Sequence, residues 1–133
     1  MIQRRIGIDT SVLVRLVAQD PEETFQQCVN GLRTLIEEQG GTVYVSNQVV
    51  GEPYAVLRHH YGASGDDACT GLLRAFDSGL VAPLNGPAVI EALSASGGPG
   101  LFDRLIADDY LRAGVETLTL DRKMAALSDV RRL

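Results

Sequence analysis

Four short apolar runs, spaced along the chain and separated by amphipathic segments, constrain this sequence most. They are Arg5 to Ile8, Thr42 to Val45, Leu80 to Leu84 and Val115 to Leu120, and each reads as a strand. Between them, apolar residues recur at helical spacing. Val12, Leu13, Leu16 and Val17 form an inward stripe over Ser11 to Val17, and Phe25, Cys28, Val29, Leu32, Leu35 and Ile36 form a longer one. Further helices are expected beyond Ser46, over Ser64 to Gly79, over Pro87 to Ala95 and over Leu101 to Ala113. Strands alternating with helices specify an α/β fold with a mostly parallel central sheet of four or five strands. The 133 residues suit one domain, 1–133.

Local signals place the boundaries. Asp20-Pro21-Glu22-Glu23 reads as a helix start, with Asp20 as cap, Pro21 in the first turn and Glu23 closing a capping box. Gly40-Gly41 ends that helix, and Ser46 and Ser64 are placed to cap the next two. Pro53 sits awkwardly in the helix after Ser46, because a proline there removes a backbone hydrogen bond. The 12 residues after Asp121 leave room for a helical turn over Arg122 to Leu127 and one short strand, Asp129 to Leu133.

Charge narrows the function. The net charge of -5 argues against a protein that coats nucleic acid through bulk positive potential. A local basic patch remains compatible with an enzyme that holds RNA briefly. Residues 21–100 carry nine acids against three bases, so the bases gather towards the chain ends, around Arg4, Arg5, Arg15, Arg104, Arg112, Arg122 and Lys123. Cys28 and Cys69 are too few for a disulfide scaffold and lack metal-ligand spacing. Gln3, Arg4 and Arg5 interrupt the first apolar stretch, so no secretory signal is read there, and no run approaches the ~20 apolar residues of a membrane span. A cytoplasmic protein without a membrane is the expectation.

Two strands end in an acid: Ile6-Gly7-Ile8-Asp9 and Leu118-Thr119-Leu120-Asp121. In one parallel sheet those ends share an edge, and open α/β sheets bind ligands at that carboxyl edge. Asp103, early in the helix before the last strand, and Glu52, on the helix after the second, can point at the same edge. Like charges roughly 4 Å apart repel by about 1 kcal/mol in water and about 4 kcal/mol at an effective dielectric of 20. Four carboxylates together therefore call for protonation or a divalent cation. An all-oxygen ligand set suits Mg²⁺ or Mn²⁺ rather than zinc, and such ions serve phosphodiester hydrolysis. Each acid also has an ordinary role open to it, since aspartates after strands form turns and caps and acids favour helix starts. Asp66, Asp67, Asp108 and Asp109 read as helix-surface or first-turn charges, and His59-His60 as a solvated helix end.

Ile8-Asp9-Thr10-Ser11-Val12-Leu13-Val14, Val49-Val50-Gly51-Glu52, Phe102-Asp103-Arg104-Leu105-Ile106-Ala107 and Leu118-Thr119-Leu120-Asp121-Arg122-Lys123 resemble, in order, the four acidic motifs of PIN-domain nucleases, above all the VapC-type toxins of toxin–antitoxin pairs. The opening motif and the 18-residue step from Asp103 to Asp121 are the most specific parts of the likeness. Pro53 beside the second acid and the glycine-rich Gly98-Pro99-Gly100 before the third depart from it. The resemblance implies a PIN-like α/β/α sandwich and a Mg²⁺- or Mn²⁺-dependent endoribonuclease. It implies Asp9, Glu52, Asp103 and Asp121 as the catalytic and metal-binding acids, with Ser11 as a supporting hydroxyl. It further implies an RNA substrate, a homodimer and a VapB-like antitoxin, for which Tyr54, Tyr61 and Phe25 are the candidate contacts. The alternative is a catalytically silent PIN-like binding module. A haloacid-dehalogenase-like phosphatase would show a second aspartate after Asp9-Thr10, where Ser11 stands, and no P-loop is present.

Overall fold

The computed structural model describes residues 3–133. Strand β1, Arg4–Gly7, pairs in parallel with β2, Gly41–Val45, from Arg4 opposite Gly41 to Gly7 opposite Tyr44. β2 pairs in parallel with the short β3, Ala82–Pro83. The sheet order is β1-β2-β3. Helices α1, Thr10–Ala18, and α2, Glu22–Arg33, make the first crossover, and α2 runs on into a π-helical turn, Thr34–Glu38. Helices α3, Asn47–His59, and α4, Gly65–Asp77, make the second.

Parallel crossovers are almost always right-handed, so two that step the same way along a sheet carry their helices to the same face. The burial pattern fits that rule. Val43 and Val45 on β2 are about 1% exposed and pack with Leu13, Val50 and Leu72. The opposite face, with Arg5, Gly7 and Leu84 exposed and Tyr44 half-buried, is open.

After β3 come α5, Ala88–Ser94, and α6, Leu101–Arg112, which pack on each other; α6 also packs on α3. Strand β4, Thr117–Thr119, and strand β5, Val130–Arg132, pair in parallel around a 3-10 turn, Met124–Ala126. The fold is thus mixed α/β with parallel strands, but the strands do not form the expected single central sheet of four or five. Their pairing differs: three strands form one sheet and two form another. The pattern of each strand is local, whereas its neighbour in a sheet is a tertiary choice that periodicity does not encode.

Most boundaries follow their local chemistry. Ser46 and Ser64 cap α3 and α4 by accepting from the backbone N–H of Val49 and Asp67. Gly40, at φ +65, ends the turn after α2. Asp20 does not act as the expected cap. The helix starts one residue later, leaving Pro21 at the cap position, and Asp20 accepts a hydrogen bond from the Tyr61 hydroxyl at 3.3 Å instead. Pro53 lies inside a continuous α3, its ring fully buried in the core. Cys28 and Cys69 pack against that core as free thiols.

Of the candidate partner contacts named from the sequence, two are partly buried rather than surface residues. Tyr54 and Phe25 pack against the core, and of the expected contacts Tyr61 alone is exposed. The large exposed apolar side chains lie further on: Phe102, Ile106 and Tyr110 along one face of α6, and Leu118 and Leu120 at β4. Among the described residues, no helix is long and apolar enough to cross a membrane.

Candidate functional site

The carboxyl ends of β1 and β2 bring the first two acidic motifs together. Asp9 follows β1 in extended conformation and caps α1: its Oδ1 accepts from the Ser11 backbone N–H at 3.0 Å and the Ser11 hydroxyl at 2.6 Å. The hydrogen bond from the Ser11 hydroxyl, helped by backbone N–H donors, holds the exposed Asp9 carboxyl below its ordinary pKa against an opposing effect of desolvation. Thr10, first residue of α1, donates its hydroxyl to Glu52 Oε2, and Gln48, one turn earlier on α3, donates to Glu52 Oε1 at 3.2 Å. A residue adjoining Asp9 therefore grips the acid of the second motif.

The other two acids are placed differently. Contacts between α3 and α6 run in opposite senses. Asn47 at the start of α3 meets Leu105, Asp108 and Asp109, whereas Tyr54 further along meets the Phe102 ring edge-on at 5.7 Å. The two helices are thus antiparallel, which sets Asp108 and Asp109 towards the start of α3 and Asp103 beside Tyr54, Ala55, Arg58 and His59. A small side chain is required where they cross: a Cβ on Gly51 would lie 2.8 Å from the Phe102 ring. Asp121 follows β4 in the second sheet, and its Oδ1 accepts from the backbone N–H of Lys123 and Met124 at 2.7 and 3.1 Å. Asp121 thereby holds the turn that leads into the 3-10 helix.

Sequence reasoning passed over the polar group at the start of α3. Asn47 is 4% exposed, and its amide nitrogen lies 2.9 Å from both Asp108 Oδ2 and Asp109 Oδ1. Asn85, just past β3, donates to the same Asp109 oxygen at 3.3 Å, and Arg112 pairs with Asp108 at 3.4 Å. Asparagines two residues past the ends of β2 and β3 were the available signal, since polar residues there lie at the carboxyl edge of the sheet.

The metal test follows from this geometry. Among the described residues, no group of three or more His, Cys, Asp or Glu side chains is arranged to hold a metal ion. The hydrogen bonds described link the turn at Asp9 to Glu52 and leave Asp103 and Asp121 in surroundings of their own. No protein-family model matches the chain, and neither does any curated protein sequence.

Ser11→Ala tests the local electrostatics. It should raise the Asp9 pKa towards the ordinary carboxylate range, read by NMR titration of the side-chain carboxyl. A depressed folded-state pKa stabilises the fold above the unfolded value, and that contribution is lost as pH falls through the folded one. The stability difference between parent and Ser11→Ala should therefore shrink on acidification below the ordinary carboxylate range. An unchanged Asp9 titration would remove Ser11 as its cause.

Proposed function

We propose that this protein is a Mg²⁺- or Mn²⁺-dependent endoribonuclease of PIN type, acting as the toxin of a toxin–antitoxin pair. One observation supports the reading best: the Thr10 hydroxyl on the Glu52 carboxylate joins the first two acidic motifs where β1 and β2 end. Ligands bind at that edge in open parallel sheets. The Ser11 hydrogen bond lowers the Asp9 pKa and orients its carboxylate there, while Thr10 and Gln48 fix the orientation of Glu52. These residues supply a fixed negative pair beside exposed backbone, and dependence on a divalent cation belongs to the reading and is tested with it.

The decisive assay is cleavage of total RNA by the purified chain with Mg²⁺, with Mn²⁺ and with chelator. Cleavage that chelator stops and either ion restores is the expected result; no cleavage in any condition overturns the reading. Asp103→Asn and Asp121→Asn then divide the acids. Loss of cleavage in both supports a four-acid site, and full activity in both restricts the site to Asp9 and Glu52.

The placement of Asp103 and Asp121 favours a second reading, a silent PIN-like binding module, because both acids have structural surroundings of their own. That module would bind RNA or a protein partner without metal-dependent cleavage.

A further inference from the structure

The open face of the three-stranded sheet contributes none of Arg5, Gly7, Thr42 and Tyr44 to the buried core. Its β1 row is Arg5 and Gly7, flanked by Gln3 just before the strand and by Asp9 two residues past its end. Its β2 row is Thr42 and Tyr44, paired with Arg5 and Gly7. The Arg5 guanidinium lies over the Tyr44 ring, 5.1 Å from its centroid. Beside them Gly7 leaves a gap: a Cβ there would meet no atom within 4 Å. Arg5 forms no ion pair among the described residues, where the salt bridges are Arg112 to Asp108 and Arg131 to Glu116.

Parallel sheets are ordinarily covered on both faces, and a protein-covered face reads as continuous Val, Ile and Leu. The covered face here does so, with Ile6, Val43 and Val45. The open face instead presents an amide, a guanidinium, a bare glycine, a hydroxyl and a phenol. A cation layered on an aromatic ring beside free space is the surface single-stranded nucleic acid uses, with bases stacking on aromatic or guanidinium planes and phosphates meeting the cation. We propose that this face is the path along which single-stranded RNA reaches Asp9, a base stacking on the Arg5–Tyr44 layer and a phosphate contacting Arg5. Arg5 precedes Asp9 by four residues, or ~13 Å of extended chain. The inference rests on the ribonuclease reading and assigns its substrate-binding surface.

The test is binding of a fluorescently labelled single-stranded RNA oligonucleotide to the full chain carrying Asp9→Asn, in chelator, across a salt series. Adding Tyr44→Ala should weaken binding by about tenfold, while Tyr44→Phe, which keeps the ring, should retain it. Adding Arg5→Ala should weaken binding and lower the slope of log affinity against log salt by about 0.7, the amount for one phosphate contact on a single strand. Arg5 is exposed, so its variant keeps the fold, and thermal melting checks that of Tyr44→Ala. RNA binding unchanged in both Tyr44→Ala and Arg5→Ala overturns the path, even where the wild-type chain cleaves RNA. A chain that binds no single-stranded RNA overturns it too. So does a protein dimer that Tyr44→Ala dissociates while RNA affinity holds, because the face is then a protein interface. RNA cleavage by the wild-type chain is scored separately, so failure of the ribonuclease reading is seen independently of this surface.

Discussion

Replacing Asp9 by asparagine is expected to lower RNA cleavage by at least ~100-fold while the fold stays intact. The structure sharpens this experiment by giving Asp9 a second task. Its Oδ1 caps α1 through Ser11, and asparagine offers a carbonyl oxygen in the same place and caps equally well. The amide therefore preserves the turn and removes only the negative charge. If Asp9 were solely a cap, Asp9→Asn would melt and cleave like the parent. If it carries the chemistry, melting stays the same, cleavage goes, and any rise in melting temperature that Mg²⁺ or Mn²⁺ gives the parent shrinks. Near wild-type, metal-dependent cleavage by Asp9→Asn would remove Asp9 from the site and most of the nuclease reading with it.

The second large effect is on stability. Leu13→Ala should destabilise the protein by roughly 3 kcal/mol and lower the melting temperature by about 10 °C, measured by calorimetry. Leu13 is fully buried, on a helix that packs against α2, α3 and α4 together. Deleting its side chain leaves a void that three helices would have to close at once. Its neighbour Ser11, exposed on the same helix, makes the contrast: Ser11→Ala touches the Asp9 carboxylate and leaves the core alone. A Leu13→Ala protein that melts with the parent would mean that α1 does not pack as described.

What sequence made legible is what local chemistry controls. Ser46 and Ser64 cap their helices because a hydroxyl at that position satisfies a free N–H wherever the helix goes. Gly114, at φ +73, closes α6 where the periodicity stops. That Asp9 and Glu52 each come after a strand of a parallel sheet was legible too, but the Thr10 hydroxyl on Glu52 was not. What was not legible depended on distant partners. The direction of α6 against α3 turns on Gly51 admitting the Phe102 ring and on Asn47 reaching Asp108 and Asp109, contacts spanning some sixty residues of sequence. Reversing α6 in the mind's eye would exchange Asp103 for Asp109 at the start of α3, and no periodicity separates the two. In the same way β4 has the pattern of a strand, but nothing in Thr117–Thr119 names β5 rather than β1 as its partner.

The order of pairing also bears on how the chain is made. Strands β1, β2 and β3 join their neighbours in the order in which they are synthesised, and the last of them ends at Pro83. A ribosome that has released residue 83 has supplied every strand of the larger sheet and both crossovers that cover it. The second ladder closes on itself later, Thr117 meeting Val130, and asks nothing of the first sheet's hydrogen bonds. Domains emerging from the N-terminus fold as units during synthesis. Asp9 and Glu52 thus lie on strands and crossovers complete in sequence before Asp103 and Asp121 are made, whereas the core they rest on is finished only when α5 and α6 add Val89, Leu93, Leu101 and Leu105.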